Sequence, residues 1–131
     1  RAAAAVLASG AWLGLAPEGT RSRTGQLGEP KAGVALLALR SGALVLPVGI
    51  SGTDRAWPVA ARLPRPGTAI TIRFGPPYRP GEAVGQAAGE AGAGAGAVAT
   101  STRRDLLEAE SEGLMRRIAA LLPPAYRGRF G

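Results

Sequence analysis

Apolar and polar positions along the chain fall into blocks that change period. Residues 2–9 form an Ala-rich run closed by Gly10. Alanine loses no side-chain entropy in a helix, and glycine just past the last turn is a common stop, so the end of a helix is expected there. Residues 11–15 are a short apolar run, which reads most simply as a buried strand. A dense polar stretch, residues 17–25, follows as a loop. Pro30 suits a first helical position, and good helix formers fill residues 31–41 before Gly42. Residues 43–50, "ALVLPVGI", are a second continuous apolar run.

The expected order is therefore helix, strand, loop, helix, strand. Apolar strands separated by a helix predict an α/β fold with a mostly parallel sheet flanked by helices. Loops beyond the carboxyl ends of such strands commonly hold ligand sites, and residues 17–25 occupy that place. Residues 68–74, "TAITIRF", alternate instead. Ile70, Ile72 and Phe74 share one face, which predicts a half-buried antiparallel or edge strand. Residues 81–99 are rich in Gly and Ala, and a flexible segment is expected across 79–101. A last helix fits 103–122, started by a Thr102/Asp105 capping box and stopped by Pro123 and Pro124. Leu107, Leu114, Ile118 and Leu121 form its stripe, and Glu112–Arg116 is a favourable i,i+4 pair. The stripe is expected to pack on the rest of the chain; Gly113 and the acids of 108–112 spoil a lipid-facing pattern of cations. Three units follow: 1–78, a linking segment 79–101, and a helical tail 102–131.

Composition sharpens this picture in two ways. The chain has 131 residues, 46% hydrophobic but only 5% aromatic, so its core must be built from Ala, Leu, Val and Ile. The net charge is +7, and Lys31 is the sole lysine among 16 basic residues. A basic surface suggests an anionic partner, and arginine's planar fork grips phosphate with two bonds. Heavy Arg use beside Ala and Gly equally fits a compositional bias. Cysteine and histidine are absent. That removes disulfides, cysteine metal sites and the commonest general base. Residues 2–16 are too short to span a bilayer, and Arg40 and Pro47 interrupt 32–50. The chain is not expected to cross a membrane by itself.

The candidate chemistry lies in residues 15–25, "LAPEGTRSRTG". Arg21 and Arg23 alternate and could converge on one anion. Thr20 and Ser22 offer hydroxyls, and Gly19 lets a ligand come close to the backbone. Glu18 is out of place in a phosphate site unless it orients an arginine or bonds a substrate hydroxyl. A solvated turn would have the same composition. No P-loop, dinucleotide fingerprint or nucleophile elbow is present.

Pro17-Glu18-Gly19-Thr20-Arg21-Ser22 resembles the "FPEGTRS" signature of the glycerolipid acyltransferases, which include the 1-acylglycerol-3-phosphate acyltransferases. Arg23-Thr24-Gly25 continues the likeness, Lys31-Ala-Gly33 resembles the family's K-x-G, and residues 44–52 resemble its V-P-V-x-I-x-G block. The resemblance covers roughly residues 3–58. It implies a partial glycerol-3-phosphate acyltransferase-like fold. It also implies transfer of a fatty acyl group from acyl-CoA or acyl carrier protein to lysophosphatidic acid, giving phosphatidic acid in phospholipid biosynthesis. By the same resemblance Glu18, Gly19, Thr20, Arg21 and Ser22 bind the acceptor's phosphoglycerol end, with Arg21 on the phosphate and Lys31 adding charge. Pro47 belongs to a block that shapes the active or acyl-donor site. No cofactor or metal is implied. The expected place is the cytoplasmic face of the cytoplasmic membrane.

The departures are specific. The family's H-x-x-x-x-D motif has no counterpart in a chain without histidine, its upstream arginine block has none beyond Arg1, and Ala16 stands where phenylalanine is usual. The expectation is a second half of an acyltransferase domain, inactive alone, with apolar faces of residues 43–50 left uncovered. A catalytically inactive homologue and a basic nucleic-acid-binding module are the alternatives. The second lacks interleaved aromatics for base stacking, so no nucleic acid is expected.

Overall fold

A computed structural model describes residues 2–82 and 102–131. The Gly/Ala-rich stretch expected to be flexible falls largely outside them. Helix α1 (Ala2–Ala8) is short and buries nothing, and Gly10 closes it at φ 81°. Helix α2 (Ala32–Ser41) ends on Gly42, whose N–H returns to the Ala38 carbonyl at 3.0 Å. Strand β1 (Val48–Ser51) leads through the single turn α3 (Thr53–Ala56) to strand β2 (Thr71–Phe74). Helix α4 (Arg103–Ala120) and two 3-10 turns, Pro124–Tyr126 and Gly128–Phe130, complete the chain.

The sheet departs from expectation. Among the described residues it has two strands, β1 and β2, paired antiparallel with Val48 opposite Phe74 and Ile50 opposite Ile72. Residues 11–15 form no strand, because no neighbouring backbone completes a ladder for them. Without that partner the second apolar run pairs with the next extended segment in sequence, and the expected parallel sheet does not arise. The antiparallel pairing expected of "TAITIRF" does hold, but the strand covers only Thr71–Phe74 and is exposed along its length rather than half-buried. Beyond Val48 the ribbon continues through Gly75 N–H to the Pro47 carbonyl and the bridge Val45–Tyr78. Two residues there oppose three, a bulge that accommodates Pro76 and Pro77, which cannot donate to a ladder.

Two helix boundaries also move. Lys31, not Pro30, marks the start of α2: its backbone is extended and its N–H is spent on the Pro17 carbonyl at 2.8 Å. Helix α4 stops at Ala120, and Leu121 and Leu122 tighten to i−3 bonds ahead of Pro123. Its start is as expected. Thr102 accepts from the Asp105 N–H, and the Asp105 carboxylate accepts from the Thr102 hydroxyl and N–H, which lower its pKa below the ordinary value.

The core lies on α4 and the tail behind it. Leu114, Met115, Ile118, Ala119, Leu122 and Phe130 pack with Tyr78, and Leu27, Val34, Val45 and Tyr126 close around them. Six of the nine buried apolar residues among the described ones come from 114–130. The stripe is thus rotated from the expected one: Met115 and Ala119 are inside, and Leu107 is only half-buried. Glu110 is buried on the same face. Tyr78 donates its hydroxyl to it at 3.1 Å and Gly81 its N–H at 2.8 Å, so the carboxylate ties α4 to the strand beyond the bulge. Burial, reinforced by Glu110, raises the Tyr78 hydroxyl's pKa above its ordinary value. Arg117 lies 4.0 Å over the Tyr78 ring.

Leu121 fixes how the ribbon sits. A Cβ at Gly49 would stand 2.8 Å from Leu121 Cβ, and one at Gly75 3.1 Å from Leu121 Cδ1. Backbone therefore meets the residues just after α4 directly on one face of the ribbon. The other face carries Val48, Ile50, Ile72 and Phe74, of which the last three are exposed. Leu44 and Ile50 leave part of 43–50 uncovered, as expected, while Pro47 and Gly49 are buried. No helix among the described residues is long and apolar enough to cross a membrane.

Candidate functional site

Residues 16–28 form a loop closed by its own polar groups. Gly19 N–H bonds the Ala16 carbonyl at 3.0 Å, with Pro17 and Glu18 at the centre of the turn. No residue but glycine has positive φ among those described, so the turn takes the type I form, with proline at its favoured second position. Glu18 accepts the Gly28 N–H at 2.7 Å and so closes the loop at its far end. Ser22 donates to the Gln26 carbonyl at 2.6 Å inside it. The carboxylate that looked misplaced in an anion site has a structural task.

The tail holds this loop from behind. Leu27 N–H bonds the Tyr126 carbonyl at 2.8 Å, and the Tyr126 hydroxyl donates to Asp54 at 3.1 Å. The other Asp54 oxygen lies 3.2 Å from where a Gly25 Cβ would be. Arg129 grips Glu29 with two bonds and reaches Glu112 at 3.0 Å. Its bond lowers the Glu29 carboxyl's pKa. The pair is exposed, so it orders the tail more than it stabilises the fold.

A groove of about 780 Å³ opens between this loop and the segment after α3. Arg21, Ser22, Arg23 and Thr24 line it together with the apolar Ile50, Trp57, Val59 and Ile70. Neither arginine forms an ion pair among the described residues. The two nearby carboxylates, Glu18 and Asp54, are occupied by Gly28 and Tyr126. The groove thus holds two guanidiniums with free donors, two carboxylates that each accept one neutral donor, and apolar side chains. Such a groove suits an amphiphile with an anionic head.

The expected site residues divide. Glu18, Arg21 and Ser22 line the groove. Gly19 and Lys31 meet each other just beside it: a Cβ at Gly19 would stand 2.9 Å from Lys31 Cδ and 3.0 Å from Nζ. A lysine at a helix N-cap opposes the helix dipole, and Lys31 makes no capping bond. Its ammonium instead lies over the loop that carries the arginines. Thr20 is exposed on the same turn. Pro47 is buried on the α4 side of the ribbon, against Gly75, and does not line the groove. Trp57, Ile70 and Tyr126 line it without having been singled out, because nothing local in the sequence brings residues 30 to 100 positions apart to one wall.

Gly19 has φ 69°, a conformation that costs a residue with a Cβ about 1–2 kcal/mol. Gly19→Ala should lose roughly that much stability in urea unfolding and displace the Lys31 side chain, which being flexible adds little. An unchanged midpoint would argue against this turn.

Residues 1–51 match the model of the acyltransferase family. A 1-acyl-sn-glycerol-3-phosphate acyltransferase of Pseudomonas aeruginosa is 40% identical over 70 residues, covering 53% of this chain and 26% of that protein. One from Limnanthes douglasii is 43% identical over 61 residues, covering 47% of this chain and 21% of that protein. The matched part thus spans about a quarter or less of these relatives' lengths. No solved structure matches the chain significantly.

Proposed function

We propose, for a chain whose residues 1–51 match the model of the acyltransferase family, that the groove is the acceptor site of a 1-acylglycerol-3-phosphate O-acyltransferase. One observation carries this reading: Arg21 and Arg23 line the same groove as Ile50, Trp57, Val59 and Ile70. Lysophosphatidate has a phosphate for the first and an acyl chain for the second. Arg21 takes the phosphate through its guanidinium fork, Arg23 and Lys31 add positive charge, and Thr20 and Ser22 face the glycerol end. The names of the relatives support the same substrate.

In the reaction proposed for the whole protein, the acceptor's free hydroxyl attacks the thioester carbonyl of acyl-CoA or acyl carrier protein. A C–O bond forms, the C–S bond breaks, and a base takes the hydroxyl proton. The product is phosphatidic acid, made for phospholipid synthesis at the cytoplasmic face of the membrane. The family's His–Asp base is not among these 131 residues. Lack of a positioned base costs about 10²–10⁴-fold in rate. The 131-residue chain should therefore bind lysophosphatidate without turning it over.

Calorimetric titration with a short-chain lysophosphatidate, against lysophosphatidylcholine of equal chain length, tests the site. Preference for the first is expected, since its phosphate is uncapped. Equal binding of both, or acyl transfer by the purified chain, would overturn the reading.

A further inference from the structure

The tail behind α4 connects the core to the loop that bears the arginines. Phe130 is buried in the core and Tyr126 packs against it. Arg127 Nε donates to the Leu122 carbonyl at 2.9 Å and ties the tail to the residues just after α4. From this anchored base the tail reaches forward. The Tyr126 carbonyl accepts the Leu27 N–H at 2.8 Å. Gly128, at φ 55°, comes so close that a Cβ there would stand 2.8 Å from the Leu27 carbonyl oxygen. The Tyr126 hydroxyl donates to Asp54 in α3 at 3.1 Å. Farther along, Arg129 grips both Glu29 oxygens and reaches Glu112 on α4.

The loop's own bonds fix its internal shape. Ser22 donates to the Gln26 carbonyl, and Glu18 accepts the Gly28 N–H. They do not fix where the loop sits relative to α3 and the ribbon, which supply the rest of the groove. Among the described residues no hydrogen bond joins residues 16–28 directly to residues 50–70. Tyr126 makes that connection: its carbonyl holds Leu27, its hydroxyl holds Asp54, and all three residues line the groove. An anion gripped by two arginines binds more tightly when their positions are set beforehand, because ordering a loop at the moment of binding subtracts from the affinity.

We propose that Tyr126 is a positioning residue for the anion site. Through Leu27 and Asp54 it holds the arginine-bearing loop to α3, and residues 124–130 act as the latch that keeps Arg21 and Arg23 preset for a phosphate monoester. The identity of the anion rests on the acceptor-site reading above; the latch itself does not. Residues 124–130 also lie outside the 1–51 family match, so the latch is not part of the matched segment.

Tyr126→Phe removes the hydroxyl and keeps the ring, and two readouts on the 131-residue chain test it. Hydrogen-exchange mass spectrometry should show faster exchange across residues 19–29. Calorimetry should show the affinity for glycerol 3-phosphate lowered about three- to ten-fold, the range one neutral hydrogen bond allows. Both are read well below the variant's unfolding midpoint, where a loss of stability alone moves neither. Asp54→Ala should speed exchange to the same extent, and combining it with Tyr126→Phe should add nothing, since the two break one bond. Arg129→Gln, at an exposed side chain, is a second variant that releases Glu29 and should move both readouts the same way by less. Arg21→Ala should weaken anion binding more strongly while leaving exchange unchanged, which separates contact from positioning. Exchange and affinity both unaltered in Tyr126→Phe and Arg129→Gln would overturn the proposal. So would an unaltered affinity despite faster exchange or a lower midpoint, because the tail would then support the fold alone. If the unsubstituted chain binds no glycerol 3-phosphate, the acceptor site falls and exchange decides the latch by itself: faster in Tyr126→Phe keeps it, unchanged removes it.

Discussion

Gly52→Ala should cost about 2–5 kcal/mol, enough to unfold much of the population of a marginally stable domain. Gly52 is buried between β1 and α3 at φ 93°, ψ −11°. A side chain pays about 1–2 kcal/mol for that backbone alone. The larger obstacle is the neighbour. A Cβ would stand 2.3 Å from the Ala69 carbonyl oxygen and 3.4 Å from Ile70 Cα, and both are backbone. No rotamer change relieves it, so β2 must shift away from β1, and overpacking of this kind costs about 1–3 kcal/mol more. The urea midpoint should fall with the m-value unchanged. Gly33→Ala is the matched control. Gly33 lies inside α2 with open space at its Cβ, and alanine there should stabilise by up to about 1 kcal/mol. Similar midpoints for the two variants would show that β2 does not cross at Gly52.

Arg21→Ala combined with Arg23→Ala should abolish measurable lysophosphatidate binding while leaving the fold intact. Each charge-assisted hydrogen bond is worth about 1.5–3 kcal/mol, so each arginine accounts for roughly ten- to a hundred-fold in affinity. Both side chains are exposed and lack ion-pair partners among the described residues, so their removal strands no buried charge. Arg21→Lys should recover only part of the affinity, because an ammonium cannot make the two parallel bonds of a guanidinium fork. Calorimetry beside thermal unfolding separates the two effects. Undiminished affinity in the double variant would place the anion elsewhere.

Local signals carried two helix stops and one start. Gly10 and Gly42 end their helices in positive-φ conformations, and Thr102 with Asp105 begins α4 with the reciprocal bonds its spacing implies. Each is set by neighbours within four positions. The polar loop was legible for the same reason, as were its arginines. The job of Glu18 was not: its partner, Gly28, is ten residues away, and the composition of the loop cannot reveal which N–H it takes. Pro30 failed as the first helical residue, and Lys31, which stood out only as a charge, is the N-cap with its side chain over Gly19.

The sheet was misjudged because apolar runs report burial or strand propensity without naming a partner. Residues 11–15 and 43–50 look alike in sequence, yet only the second finds a neighbour, and that neighbour lies downstream and runs antiparallel. The tail was undervalued on similar grounds. Residues 102–131 have no part in the family resemblance, yet Leu114, Met115, Ile118 and Phe130 form the centre of the core, and Tyr126 and Arg129 hold the loop that bears the arginines.

By itself, then, the sequence determined the local elements, the cationic loop, its likeness to an acyltransferase signature and the absence of a histidine base. These depend on residue type and short spacing. Only the tertiary structure decided which strand pairs with which, that Pro47 does not line the groove, and that Trp57 and Ile70 line it with Arg21. Those depend on contacts between residues far apart in the chain, where closure of the loop and burial of the α4 face select one arrangement from many that the same pattern allows.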